Sequence, residues 1–360
     1  MADFFEIDFI PVHRRDSGDA ISMRYMIGDF WDVHVIDGGF DSTTALVSAH
    51  IRENYRTDTI NRVIVTHPDQ DHAEGLAGIL ETFNIYELWM LRPWEYADIL
   101  LPDFARYTSA ERLKERLRDD YPYIAKLEAI ALRRGITIRE PFQGKQIGAF
   151  TVLAPSRERY LNLILESERT PQRSIRSRAQ QTLLGALTEA ARPVLAFIKA
   201  GWGSEKFSPD PTSVENEMSV VQYAYICGKR ILLSGDAGRE GMTEAADYLE
   251  SRGVSLPGID RFQFPHHGGR RNMSTELLDR WVGRRLTQPV KEGEELFTAM
   301  ISSAKEDPEH PRKAVLRALH HRGAKIATTE NGHFRTHKNA PQRDGWIALK
   351  QPAYPDEQEN

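Results

Sequence analysis

The run Thr66-His67-Pro68-Asp69-Gln70-Asp71-His72 sets two imidazoles and two carboxylates side by side, directly after the apolar stretch Val63-Ile64-Val65. These are the side chains that hold divalent metals. Spaced so closely, they cannot all share one face of a regular strand or helix, so the backbone has to turn and aim them at a common point. A divalent ion, or a pair, would offset the repulsion between the two acids. The competing reading is a solvated acidic turn in which Asp71 caps a helix that begins near Leu76.

Further ligand types recur downstream at the same kind of place. Leu232-Leu233-Ser234-Gly235-Asp236 is an apolar strand ending in Gly-Asp, and Phe262-Gln263-Phe264-Pro265-His266-His267-Gly268-Gly269 is another ending in paired histidines. Taken singly, Asp236 reads as a turn or N-cap residue before a helix at Glu240, and one histidine as a surface residue. Three strand ends bearing carboxylate or imidazole read together as one site assembled across a sheet edge. His310, just before Pro311, reads either as a helix N-terminal residue or as a group that donates a proton to a leaving group or contacts an oxyanion.

In this order the segments resemble the metallo-β-lactamase superfamily and, within it, the hydrolase domain of the ComEC-like competence proteins. Gly18-Asp19-Ala20-Ile21 with Val35-Ile36-Asp37-Gly38-Gly39 resembles the family's opening strands, and His67-Pro68-Asp69-Gln70-Asp71-His72 resembles its HxDxDH motif. Asn216 to Val221 resembles its NxxS strand, Ser234-Gly235-Asp236 and His266-His267-Gly268 its GD and HHG segments. Ile301-Ser302-Ser303 through His310-Pro311 to Thr328 and Gly332 resembles its late S…HP…T…G pattern. The fold this implies is α/β, an αββα four-layer sandwich with helical insertions.

The resemblance also implies a ligand set. His67, Asp69 and the Asn216 region would face a first metal, and Asp71, His72 and His266 a second, with Asp236 bridging. Whether His266 or His267 is the ligand stays open, the other orienting its neighbour. Asp71 is expected to be essential for turnover and Asp37 to orient the site by hydrogen bonds. Two departures from the wider superfamily are Asp69 in place of a histidine and the Asn216 region in place of the third-motif histidine. Both enrich the site in oxygen, so of the two divalent ions expected, zinc has manganese as its alternative. Such a pair, about 3.5–4 Å apart, holds a shared water as hydroxide and polarises a scissile group. The implied activity is a dinuclear metal-dependent hydrolase of the phosphodiesterase or nuclease type. Two alternatives are a hydrolase of a small lactone or thioester and a metal-binding module of a bacterial stress or phage-defence complex.

With 360 residues and 40% apolar content the chain can bury a large core. One domain over 1–360 is expected, with helical insertions at 94–140 and 156–212. A single cysteine, Cys227, excludes an intrachain disulfide framework, and no long apolar span is present, so the expectation is a cytoplasmic protein without membrane contact. A net charge of -5 gives no global pull on nucleic acid. Arg169, Arg173, Arg176, Arg178, Arg284 and Arg285 read as solvated faces. Arg270 and Arg271, adjoining the histidine pair, are expected with Ser303 to bind an anionic substrate such as a nucleic acid or nucleotide.

The elements that must position these groups follow from periodicity. Phe4 to Pro11, Ser22 to Ile27 and Trp31 to Ile36 read as strands, then a helix over 43–55 and a metal-bearing strand from Arg62. A charged helical pattern occupies 94–140. Ile147 to Leu153 reads as a strand, Glu158 to Glu166 and Ala179 to Ala191 as helices, and Gly201 to Pro211 as a loop into a strand at Asn216.

Overall fold

A computed structural model describes residues 2–12, 15–171 and 197–360. The strand readings hold near the N-terminus because alternation there is strict. In β1 (Phe4–Phe9), Phe5, Ile7 and Phe9 turn towards one buried face. It pairs antiparallel with β2 (Ala20–Ile27), which pairs antiparallel with β3 (Phe30–Gly38). From β3 the sheet continues in parallel through β4 (Thr59–Ile64), β5 (Asn84–Trp89) and β6 (Thr137–Arg139), and β15 (Phe334–Lys338) closes the other side.

The second sheet repeats this plan. Its antiparallel strands are β7 (Gln146–Ile147), β8 (Phe150–Ala154), β10 (Val221–Ile226) and β11 (Lys229–Leu233). From β11 it runs parallel through β12 (Arg261–Gln263), β13 (Phe297–Ile301) and β14 (Ala324–Thr328). A small sheet joins β9 (Phe197–Lys199) to β16 (Glu357–Glu359).

Three cores define the layers. Phe5, Ile7, Met23, Ile36, Phe150, Val152, Ile231, Leu233 and Met300 fill the space between the two sheets. The outer face of the first sheet packs Val63 and Leu88 against Leu76, Leu80, Leu113 and Leu127 from helices. The second sheet packs Leu232, Phe262 and Ala299 against Met242, Leu249, Leu278 and Leu319. This is the expected αββα order of four layers. Within 94–140 the longer helices are Ala110–Asp120 and Pro122–Arg134, but the stretch ends in strand β6 of the first sheet, against the expectation of helix throughout. Arg157–Glu166 is the predicted helix; the one expected at 179–191 lies outside the described residues.

One element departs from expectation. Asn216 lies in a single helical turn, Val214–Glu217, whose Ser213 side chain accepts the Asn216 N–H, and the strand begins only at Val221. Serine at the N-cap and three polar residues outweigh the strand character that begins beyond Met218.

Parallel strands of both sheets end along one edge of the sandwich, the usual location of sites in sheets of this kind. There the sheets are tied together. Val220 donates its N–H to the Thr66 carbonyl at 3.0 Å, and the buried Gln263 side chain donates to Asp19 at 2.8 Å while accepting the Ser234 N–H. Among the described residues no helix is long and apolar enough to cross a membrane.

Candidate metal centre

Asp236, following β11, is the hub. Its Oδ2 lies 3.8 Å from His67 Nε2, 3.3 Å from His72 Nε2, 3.9 Å from His266 Nε2 and 3.6 Å from His267 Nε2. Asp71 Oδ2 adds contacts of 3.5 Å to His72 Nε2 and 3.3 Å to His267 Nε2, and Asp69 Oδ2 is 3.7 Å from His67 Nε2. The three strand-end segments therefore meet at one point.

What faces that point follows from the far side of each ring. The Thr66 hydroxyl commits its hydrogen to Asp37 Oδ2 at 2.5 Å, so towards His67 Nδ1, 3.0 Å away, it can only accept. His72 Nδ1 donates to Asp37 at 2.7 Å. His267 Nδ1 donates to the Ser302 carbonyl at 3.1 Å, and His266 Nδ1 to Asn272 Oδ1 at 3.0 Å. The Asn272 amide is oriented by its NH2, which donates to the Asp236 carbonyl at 2.8 Å. In each neutral ring the hydrogen is thus on Nδ1, and the Nε2 lone pair is aimed at carboxylate oxygens. Lone pairs facing lone pairs at 3.3–3.9 Å call for a cation between them. His67 Nε2, His72 Nε2, Asp236 Oδ1 and Asp19 Oδ1 are buried without a hydrogen-bond partner. Nitrogen and oxygen donors in this mixture fit divalent zinc or manganese.

The electrostatics without an ion agree. Burial alone would raise the Asp236 carboxyl, but the charges of His72, His267 and His266 hold it well below the usual range. Asp71 is lowered in the same way, chiefly by His72 against the effect of burial. Burial disfavours charge on His72 and His267, yet Asp236 and its neighbouring carboxylates raise both, His267 to about 9. For His266 burial prevails and pushes it down to about 4. Protons on His72 and His267 thus supply cationic charge that a metal would displace.

Several expected residues have other places. Asn216 sits in the helical turn and not in a strand, its NH2 donating to Thr212 Oγ1 at 2.8 Å, a hydroxyl that Asn272 Nδ2 also approaches at 3.3 Å. From the same segment Ser219 contributes instead, accepting the Asp236 N–H at 3.1 Å. Arg270 donates to the Asn360 carbonyl and Arg271 lies 3.8 Å from Asp210, because extended backbone at Gly269 carries the chain past the cluster. The guanidinium found at the cluster is that of Arg169, 2.8 Å from Asp69 Oδ1. It had read as part of a solvated face; Arg173, Arg176 and Arg178 lie outside the described residues. Ser303 is buried, its backbone tied to Thr329.

His310 lies beside the cluster, its ring 5.1 Å from that of His266. Its Nδ1 donates to Asp307 Oδ2 at 3.1 Å, and Ser17 donates to the same oxygen at 2.7 Å. A cleft of about 450 Å³ opens here, lined by Asp71, His266, His267 and His310 with Arg15, Asp16, Glu306, Asp307 and Glu309. Asp19, Thr66, Gln263, Asn272, Ser302 and Asp307 are participants that sequence reasoning did not assign. Of these, Asp19 alone carried a signal, the Gly18-Asp19 turn before β2.

A second group, Asp8, His50 and His333, also brings possible ligand atoms together. There the Arg343 guanidinium already binds both oxygens of Asp8, at 2.7 and 2.9 Å, and Tyr55 donates to one of them. That carboxylate is paired with a guanidinium, whereas Asp236 faces imidazoles and the carboxylate of Asp19.

Neither a protein-family model nor a curated protein matches the chain. Solved structures do resemble it. The metallo-β-lactamase fold protein YhfI from Bacillus subtilis aligns over 93% of this chain and 100% of its own, with 10% identity and a TM-score of 0.40. A β-lactamase domain protein from Burkholderia ambifaria aligns over 74% of this chain and 67% of its own, at 14% identity and a TM-score of 0.33. The metallo-β-lactamase SMB-1 aligns over 70% and 77%, at 10% identity and 0.30. At these scores the architecture rests on the chain's own sheet order, and no activity carries over.

Proposed function

We propose that the protein is a metal-dependent hydrolase with a dinuclear centre, acting on a phosphoester of the phosphodiester or nucleic-acid class. The observation that carries the metal-dependent part is the convergence of four imidazole Nε2 atoms on Asp236. Divalent ions bound there supply a water of lowered pKa and Lewis-acid polarisation of the scissile group. Zinc, or manganese in its place, suits the donors.

The protein's own groups divide the remaining work. Asp37 holds His72 directly and His67 through Thr66, keeping both rings aimed. Asp71 sits between His72 and His267 and lines the cleft, so it serves as ligand and meets the substrate side. His310, its Nδ1–H held by Asp307, presents Nε2 to take up a proton from solvent and pass it to the leaving oxygen. Arg169, 2.8 Å from Asp69, and Arg15, on the cleft wall, supply guanidinium groups beside the ligands in the role expected of Arg270 and Arg271.

A second reading has its own support. Asp16, Glu306, Asp307 and Glu309 outnumber Arg15 on the open cleft, and this net acidic lip favours an uncharged leaving portion, as in a lactone or thioester. The experiment is a turnover screen of the zinc- and manganese-loaded protein on single-stranded DNA, RNA, cyclic dinucleotides and bis(4-nitrophenyl) phosphate against a lactone and a thioester. Turnover of phosphodiesters alone supports the first reading, and turnover of the neutral esters alone replaces it with the second.

A further inference from the structure

We propose that the adjacent histidines His266 and His267 are both metal ligands, one for each of two ions, with His266 serving the ion held by His67 and Asp69. The inference rests on the dinuclear reading above. His72, Asp71, Asp236 and His267 form one closed set, with contacts of 3.3 to 3.6 Å around its edge. Such edge distances are those of neighbouring donors on one ion, and Asp19 adds a carboxylate that lies with His72, Asp236 and His267 within 4.8 Å of one another. His67, Asp69 and Asp236 begin a second set, at 3.7 and 3.8 Å. Among the described contacts no carboxylate or imidazole of the Asn216 segment joins it, and the Asn216 amide donates its NH2 to Thr212.

His266 is built to join that second set. Its Nδ1–H is held by Asn272, a fully buried residue whose NH2 group is anchored on the Asp236 carbonyl. This leaves the His266 Nε2 lone pair pointing at Asp236 Oδ2 from 3.9 Å. Two acceptors held face to face by a third residue repel one another unless a cation lies between them. His267, by contrast, turns its Nε2 towards Asp71 as well as Asp236.

The backbone permits this divergence at a cost. His266 and His267 both have positive φ, 49° and 54°, in the left-handed region that residues with a Cβ seldom adopt. Consecutive left-handed residues rotate neighbouring side chains apart while keeping both near the strand end. A chain needing one histidine ligand has no reason to hold two in that conformation.

The test reads metal content and ligand identity without requiring activity. Wild type, His266→Ala, His267→Ala and Asn216→Ala are saturated with Zn2+, freed of excess and assayed by elemental analysis. The cobalt-loaded forms are examined by proton NMR for exchangeable, paramagnetically shifted Nδ1–H signals, one from each bound imidazole. Expected are two ions and four signals for wild type and for Asn216→Ala, with each histidine variant losing one ion and at least one signal. His266→Gln, with circular dichroism as a check of folding, replaces the alanine variant if that fails to fold. Two ions retained after His266 replacement, three signals in a two-ion wild type, or loss of an ion from Asn216→Ala would each overturn the proposal. A wild type that saturates at one ion overturns the dinuclear reading and this inference with it, a failure recognisable because the wild type itself falls short.

Discussion

At the scale of single residues the account turns on Asp236. A carboxylate that meets four imidazoles holds both ions, so Asp236→Ala should reduce bound metal to below one ion per chain by elemental analysis. The metal-free variant should also lose about 3–5 kcal/mol of stability at a pH where His72 and His267 carry protons, since their buried charge loses its main partner. Full metal retention would remove Asp236 from the centre of the account. Residues behind metal ligands cost about 10–100-fold when lost, so Asp71→Asn, which alters a ligand itself, should lower turnover at least that far. An undiminished rate would contradict its role. Protonation gives a third expectation. In the metal-free protein His72 and His267 titrate above the ordinary histidine value of 6.5, His267 at about 9. Groups raised in this way stabilise fully below the unfolded value and lose that contribution as pH rises through the folded one. Thermal melts of chelator-stripped protein should therefore show a midpoint that falls between about pH 6.5 and 9, and a rising midpoint across that window would contradict the charged pair. The ligand types were legible in sequence because His67 to His72 and Asp236 end apolar runs. Asn272, Ser302 and Asp307 were not, since a residue that orients a ligand needs only one hydrogen bond from an arbitrary place in the chain.

At the scale of elements, the end of β11 presses on the end of β4 through a glycine. Gly235 has φ +50°, and a Cβ there would meet three Thr66 side-chain atoms at 2.9–3.1 Å. Thr66 in turn aims His67 and binds Asp37. Gly235→Ala should cost about 1–3 kcal/mol in a denaturant melt and weaken metal binding by more than Gly253→Ala, which meets nothing within 4 Å. Equal metal affinity in the two variants would show that β4 and β11 hold their ligands independently. The strands themselves could be read where apolar alternation or long apolar runs are strict, as in β1 and β11. The Asn216 segment could not, because a one-turn helix and a strand end differ by a serine cap that only local geometry reveals. The course of Arg270 and Arg271 was hidden for the same reason, since adjacency in sequence says nothing of which way the chain leaves Gly269.

At the scale of the whole molecule, two sheets meet along an edge where like charges concentrate, so bound metal should tie the halves together. Ligand that binds only the folded state stabilises by RT ln(1 + [L]/Kd), about 4 kcal/mol at a thousandfold excess over Kd. Chelation should accordingly lower the thermal midpoint by several degrees and addition of zinc or manganese restore it; an unchanged midpoint would mean that no structural energy is held in the site. The four-layer order was foreseeable from the succession of motif-bearing strands, whereas the acidic lip and the Arg169 contact belong to segments far apart in the chain that only the assembled fold brings to the cleft. The most direct test of the central claim is anomalous diffraction from crystals equilibrated with zinc or manganese. The account predicts two peaks flanking Asp236, each about 2.0–2.2 Å from its ligand atoms, with His67, Asp69 and His266 around one and Asp71, His72 and His267 around the other. A map with no peak at Asp236, or with its metal bound at Asp8, His50 and His333 instead, would contradict it.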